Sequence, residues 1–136
     1  MAITQTLTNV FKQDCLDGAQ NLGTSGDTIK LALYTSSATL NATTTAYTTS
    51  NEVSGTGYTA GGTTLSSQSV TLDTTNGVAF FDAADPSFTS ATITARGALI
   101  YNNSKSNAAI AVLDFGSDFS PSAWFTNPNC VEALAI

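Results

Sequence analysis

Short runs in which apolar residues alternate with polar or small ones recur along this chain and constrain its fold more than any other feature. In the clearest run, Ile29, Leu31 and Leu33 are spaced two residues apart. A period of two is typical of a β-strand that buries one of its faces. We therefore expect a half-buried strand that ends at Tyr34.

Further strands are predicted in the second half of the chain. Residues 69–73 and 78–82 flank an Asn-Gly pair, which favours the turn types of a β-hairpin. Residues 91–102 and 108–115 predict a second hairpin, in which the latter strand is apolar on both faces and therefore central. Short strands at this spacing favour a mainly-β fold built as an antiparallel β-sandwich or barrel.

The two ends of the chain differ from this pattern. Thr8 is placed to cap a short helix that Gly18 would end, so residues 1–26 are expected to form an N-terminal helix or arm. Residues 117–136 contain two prolines and predict an irregular tail. Neither end has the composition of a second domain, and we expect one β-sandwich domain over residues 1–136.

A long segment between the predicted strands, residues 35–64, is dominated by Thr, Ser and Gly. Loops of this length are uncommon in compact domains unless they are functional or packed. Its expected anchors are Leu40, Tyr47, Val53 and Tyr58, and residues 45–53 predict one helical turn. If the chain belongs to an assembly, we assign this loop and the N-terminal helix to contacts with neighbouring subunits. The alternative for the helix is packing on the core of its own chain.

The chain carries little charge. Charged residues make up 10% of the sequence, against about 25% in a typical globular domain. Thr, Ser, Asn and Gly take their place, and such short side chains lose little rotamer entropy when a surface is covered. This composition suits a protein that packs permanently against neighbours, and a secreted Thr-rich β domain is the alternative interpretation.

The charges that are present are mostly negative. The net charge is −6, and the 4 Lys and Arg residues are scattered. Nucleic acids and anionic membranes both require clustered Lys and Arg, so we expect neither as a partner. The chain has no apolar run of about 18 residues, the length that spans a bilayer, and its start does not resemble a secretory signal.

Catalytic and metal-binding residues are sparse. The absence of histidine excludes Ser-His-Asp and Cys-His catalysis. Asp82 with Asp85, and Asp114 with Asp118, are carboxylate pairs of the kind used by glycosidases or calcium sites. Asp at strand ends commonly caps turns instead. We predict no catalytic residue, no cofactor and no metal site, hence no enzyme, and leave calcium binding at these four carboxylates open.

The two cysteines, Cys15 and Cys130, lie far apart and form no CxxC pair. Thiols stay reduced unless the compartment is oxidising, and free cysteines are often buried. We expect two reduced, partly buried thiols, with a disulfide that links the ends of the chain as the alternative.

Aromatic side chains are the best candidates for contacts between subunits, because aromatic residues concentrate at binding hot spots. Phe80 and Phe81 must point to opposite faces of one strand, so one of them meets another layer or another subunit. Trp124 and Phe125 lie in the predicted irregular tail. The interface candidates are Phe11, Tyr47, Tyr58, Phe81, Trp124 and Phe125.

Two stretches of the chain are distinctive in wording: IKLALYTSSATLNATTTAYTTSNEVSGTGYTAGG, residues 29–62, and SATITARGALIYNNSKSNAAIAVLDFG, residues 90–116. Together they resemble a family of small virion proteins of tailed bacteriophages. Residues 117–136 depart from this resemblance, because that family more often ends in a regular pair of strands.

The resemblance implies a structural component of the phage particle. The first expectation is a capsid decoration, or cement, protein with a jelly-roll-like sandwich, assembled as a homotrimer on the major capsid protein. It would be made in the host cytoplasm and reside on the capsid surface. The alternatives are a tail- or fibre-associated module, which binds a host-surface glycan or receptor through exposed Tyr47, Tyr58 and Trp124, and a head-tail neck component.

Overall fold

The computed structural model describes residues 2–119 together with the backbone of residues 124–126 and 134–135. Within these residues, the strands pair in antiparallel fashion and are accompanied by one short helix near the N-terminus. The predicted mainly-β, antiparallel fold with one short N-terminal helix is confirmed. The elements are β1 (Thr6–Leu7), α1 (Asn9–Asp17), β2 (Ile29–Tyr34), β3 (Thr63–Thr64), β4 (Ser69–Asp73), β5 (Val78–Asp82), β6 (Ser87–Thr89), β7 (Ala95–Asn102), β8 (Ala108–Phe119), β9 (Trp124–Thr126) and β10 (Leu134–Ala135).

The centre of the fold is a five-stranded sheet with the strand order β1-β8-β7-β2-β3. β7 and β8 form a hairpin, and β2 pairs with β7 from Ile29 opposite Asn102 to Tyr34 opposite Gly97. The strands that carry the most apolar residues thus lie in the middle of the sheet, where both of their edges are hydrogen-bonded.

Both faces of the central sheet are buried, so the expectation that β2 buries a single face is wrong. Leu31 and Leu33 are fully buried on one face, and Ala32 and Tyr34 are fully buried on the other. The period of two is still present, but a small residue and an aromatic residue occupy the face that was expected to meet solvent.

The long loop, residues 35–64, supplies the layer over this second face. Ala38 and Leu40 are buried against it, and Tyr47 packs on the same cluster. The helical turn predicted for residues 45–53 is absent, because the backbone there pairs with the central sheet and with the end of β2 instead. The loop is therefore a layer of the core within its own chain.

The N-terminal segment also packs on its own chain. The hydroxyl of Thr8, which is fully buried, accepts a hydrogen bond from the Phe11 N–H at 3.3 Å and donates to the Ala109 carbonyl at 2.9 Å. Gly18 ends α1 in the left-handed conformation at φ 68°, as expected for a C-terminal cap. Thr8 and Gly18 thus act as the predicted start and stop signals, and the cap also ties the helix to β8.

Two smaller sheets lie beside the central one. β5 pairs with β4 on one edge and with β10 on the other, and β6 pairs with β9. The bounds of β4 and β5 match the prediction. The predicted strand over residues 91–102 begins only at Ala95, and β8 runs past Phe115 to Phe119, across Gly116 at φ 80°.

Candidate functional site

Glu52, in the long loop, is the centre of a hydrogen-bonded group of tyrosines. Tyr47 donates its hydroxyl proton to Glu52 Oε2 at 2.7 Å, and Tyr58 donates to Glu52 Oε1 at 2.6 Å. The Gly61 N–H also donates to Oε1, at 2.7 Å. Because each of these bonds ends on an ionised acceptor, each is of the stronger, charge-assisted kind.

The other two tyrosines of the chain complete this group. Tyr101, on β7, donates to the Gly61 carbonyl at 2.7 Å and stacks on Tyr47 with ring centroids 4.8 Å apart. Tyr34, at the end of β2, donates to the Thr48 carbonyl at 2.6 Å. We call Glu52 and the four tyrosines, residues 34, 47, 58 and 101, the tyrosine cluster.

The tyrosine cluster acts through hydrogen bonds that stabilise the fold. Burial raises the pKa of all four phenols, and the carboxylate of Glu52 raises the pKa of each further. The phenols therefore remain protonated donors at neutral pH. The Tyr58 hydroxyl also accepts from the Leu33 N–H at 2.9 Å. The cluster thus joins residues 47–61 of the long loop to β2 and β7.

Glycines allow the loop to lie directly against backbone. Gly62 has φ 76°, and a Cβ placed on it would collide with the Leu31 carbonyl oxygen. A Cβ on Gly57, which has φ 81°, would lie 2.6 Å from Ala91 Cα. The motif NEVSGTGYTAGG, which is part of the sequence resemblance, therefore contains the acceptor Glu52, the donor Tyr58 and glycines that pack directly against backbone.

A second polar network surrounds Asn102, which is fully buried at the end of β7. Its amide donates to Asp27 Oδ2 at 2.8 Å and to Gln20 Oε1 at 3.1 Å, and its Oδ1 accepts from the Ser104 N–H. Hydrogen bonds from the Asn21 N–H and the Asn102 amide hold the pKa of Asp27 below its usual value, although desolvation opposes them. Gln20 in turn donates to Asp14 Oδ2 on α1 at 2.6 Å, so this network joins α1 to the central sheet.

The sequence-predicted interface residues lie mostly inside the chain. Phe11 and Phe81 are 1% and 3% exposed and belong to the main core cluster, so they offer no surface to a partner. Tyr47 and Tyr58 are half-buried with their hydroxyls on Glu52. Stacking on sugar rings, the alternative role for these two tyrosines, would therefore use rings that already contact Tyr101 and Phe88 within the chain. The backbones of Trp124 and Phe125 pair with β6, and their side chains lie outside the described residues.

The predicted carboxylate pairs do not form a metal centre among the described residues, where no group of three or more His, Cys, Asp or Glu could hold a metal ion. Asp114 accepts from the Gly116 N–H and forms an ion pair with Arg96 at 3.1 Å. These contacts, the Gly116 hydrogen bond first, lower the pKa of Asp114. Asp82 accepts from the Ala83 N–H. Asp114 and Asp82 thus stabilise turns and strand ends.

Cys15 lies on the exposed side of α1 as a free thiol, rather than partly buried as expected. Cys130 lies outside the described residues.

The exposed apolar surface lies on the β4–β5 hairpin, residues 69–82. Val70 is 52% exposed and Leu72 is 64% exposed, both on β4. Leu16 on α1 and Phe119 at the end of β8 are the other large exposed apolar residues in the described part of the chain. Sequence reasoning predicted both strands of the hairpin but missed this surface. Val70 lies opposite the core residue Phe81, on the same face, and is exposed because β4 is the terminal strand of its sheet, a position that alternation does not reveal.

No protein-family model, no curated protein and no solved structure matches the chain. Over the described residues, no helix has the length and apolar character needed to cross a bilayer.

Proposed function

We propose that this protein is a structural component of a tailed bacteriophage particle, most simply a capsid decoration protein that binds the major capsid protein and stabilises the head shell. The sequence resemblance in residues 29–62 and 90–116 supports a place among the small virion proteins of tailed bacteriophages. The observation that carries the proposal is the β4–β5 hairpin, which exposes Val70 and Leu72 on a chain whose central sheet is closed on both faces.

The exposed pair on β4 is what a permanent contact with other subunits requires. Burying a Val or Leu side chain fully contributes about 1.5–3 kcal/mol. Val70 and Leu72 are already partly covered and would contribute less. Such a contact is weak for one copy, but many copies on a lattice convert weak contacts into strong overall binding.

The surface composition agrees with this role. Thr and Ser on the surface lose little entropy when they are covered, and the 10% charged fraction leaves few charges to desolvate. Desolvating an unpaired charge costs several kcal/mol. Location on the capsid surface, synthesis in the host cytoplasm and assembly as a homotrimer follow from the proposal and stay predictions.

The test is binding of the purified protein to capsids that lack it. Sedimentation with capsids and the resistance of those capsids to heat are measured for the natural protein and for the double variant Val70→Thr and Leu72→Ser. We expect the natural protein to bind and to raise capsid stability, and the double variant to bind at least about tenfold more weakly.

Leu16→Ser is the matched control, because Leu16 is 92% exposed on α1, away from the hairpin. It should bind as the natural protein does. Natural protein that is folded yet does not bind capsids would contradict the decoration role. A double variant that binds equally well would show that Val70 and Leu72 do not form the contact with the capsid.

A further inference from the structure

The outer edge of β4 has no partner strand among the residues that the structure describes. β4 is the terminal strand of the sheet β10-β5-β4, and the opposite edge of β5 is occupied by β10. An open edge presents unpaired N–H and C=O groups that can template another strand.

Natural proteins usually protect such an edge, and this one is not protected. Proteins place Lys, Pro, bulges or inward-pointing charges on open edges to prevent pairing. The sequence of β4, Ser-Val-Thr-Leu-Asp, contains no Lys or Pro, and its ladder with β5 runs from Ser69 to Asp73 without a bulge. Two of its five residues are exposed aliphatic side chains.

The sequence of β4 is complementary to itself in the antiparallel direction. With Thr71 on the two-fold axis, Val70 lies opposite Leu72 of the second copy. Directly opposed apolar side chains stabilise a strand pair. The residue order thus favours a second copy of this chain as the occupant of the edge.

Charge agrees with the antiparallel register. It places Asp73 opposite Ser69 of the second copy, whereas a parallel, in-register pair would set Asp73 beside Asp73. Like charges directly opposite destabilise a sheet. Asp73 also accepts hydrogen bonds from the Thr75 N–H and from both the N–H and the amide of Asn76, so its charge is compensated within its own turn.

We propose that two copies of this protein pair through their β4 edges in antiparallel register, and so join two three-stranded sheets into one continuous sheet. The pairing does not depend on the decoration role. A two-fold pair adds a contact between trimers if the homotrimer also forms.

The pairing is weak by its size. A five-residue edge is about 17 Å long, and the buried area falls below the roughly 1,200 Å² of standard stable interfaces. Dimers should therefore form at high concentration in solution and become extensive where many copies are held side by side.

The two-fold axis at residue 71 allows a direct test by cross-linking. In a background of Cys15→Ser and Cys130→Ser, Thr71→Cys places one thiol opposite its equivalent, with Cβ atoms about 4.5–5.5 Å apart in a strand pair. Mild oxidation or a short bismaleimide should give a covalent dimer, seen by mass. Thr75→Cys, which is exposed in the turn of the same hairpin, lies about 13 Å from the axis along the strand and should not cross-link.

Sedimentation analysis of a Leu72→Lys variant supplies the second measurement. Lys at this position opposes Val70 of the second copy and should weaken self-association at least about tenfold. Equal cross-linking at positions 71 and 75, or natural protein that stays monomeric up to about millimolar concentration, would overturn the pairing. Capsid binding of the same samples reports on the decoration role separately.

Discussion

The tyrosine cluster and the β4–β5 hairpin differ in whether their bonding groups find partners within the chain. In the cluster, every phenol donates to a carboxylate or a carbonyl at 2.6–2.7 Å. On the hairpin, Val70 and Leu72 are open to solvent and the outer edge of β4 has no partner strand among the described residues. One region is closed within the chain, and the other is left open.

The difference suggests that one region stabilises the fold and the other is available for association. No buried side-chain nitrogen or oxygen lacks a hydrogen-bond partner in the described residues, so the long loop is held by satisfied polar groups rather than by apolar area alone. Within the hairpin, Phe81 of β5 packs in the core, whereas Val70 and Leu72 of β4 remain exposed. Substitutions in the cluster should therefore change folding, whereas substitutions on β4 should change association.

The largest effect is expected for Gly62→Ala. The left-handed conformation of a non-glycine residue costs about 1–2 kcal/mol, and the new Cβ also collides with the Leu31 carbonyl. We expect the free energy of unfolding to fall by more than about 3 kcal/mol. Gly77→Ala is the control, because Gly77 has φ 67° with nothing within 4 Å of a new Cβ. Equal losses in urea unfolding would show that the loop yields at Gly62.

The next largest effect is expected for Glu52→Ala. It leaves the hydroxyls of Tyr47 and Tyr58 and the Gly61 N–H without their acceptor, which should cost about 2–4 kcal/mol of unfolding free energy. Asp73→Ala is the control, since Asp73, at the end of β4, also accepts three hydrogen bonds, and these are exposed to solvent. Water can replace those bonds, so chemical denaturation should show a clearly smaller loss. A reversed order would contradict the role of Glu52.

Alkaline pH should destabilise the protein through the same cluster. Above pH of about 10, tyrosines of the unfolded chain lose their protons, while the raised pKa values keep the folded phenols protonated. The folded state then binds more protons than the unfolded state, so the free energy of unfolding decreases as the pH rises. The stabilisation by the tyrosines is fully present only below pH of about 10. The slope is about 1.4 kcal/mol per pH unit for each tyrosine that stays protonated.

Ultraviolet absorbance of tyrosinate, followed together with circular dichroism, checks this pH dependence. Ionisation in the folded protein should be delayed and should coincide with unfolding. Four tyrosines that ionise near pH of about 10 while the fold persists would refute it.

The smallest effect is expected for Leu72→Ala, which should change the unfolding free energy of dilute protein by less than about 0.5 kcal/mol. Leu72 is 64% exposed, whereas Leu33 is fully buried at the centre of the sheet. The same substitution at Leu33 should cost about 2–5 kcal/mol. A large loss at position 72, measured by thermal unfolding, would show that Leu72 packs on the core after all.

Local signals predicted the parts of the fold that depend on neighbours in sequence. The Asn-Gly turn and the alternation beside it give β4 and β5 with their observed bounds, and Thr8 and Gly18 bound the helix. The start of β7 was misplaced, because Ala91 and Ile93 alternate as in a strand but pack in the core outside any sheet, where the Thr92 N–H bonds to the Thr56 carbonyl.

The candidate site could not be predicted in the same way. Tyr34, Tyr47, Tyr58 and Tyr101 come from two strands and a loop, and only the completed fold brings them to Glu52. The exposure of Val70 and Leu72 depends on the place of β4 at the end of its sheet, because Phe81, opposite Val70 on the same face, is in the core. A period of two does not tell which strand lies at the edge. The sequence indicates such groups only through their residue types.

The pairing of β2 with β7 sets the speed at which this chain can reach its native state. Residues 35–94 separate the two strands, so their contact must wait for a long segment to close on itself. The β4–β5 and β7–β8 hairpins need no such closure and can form in microseconds. Refolding should then be limited by this late encounter, on the millisecond-to-second scale of chains dominated by non-local contacts. The outer edge of β4 in the early hairpin is exposed to neighbouring chains during that time.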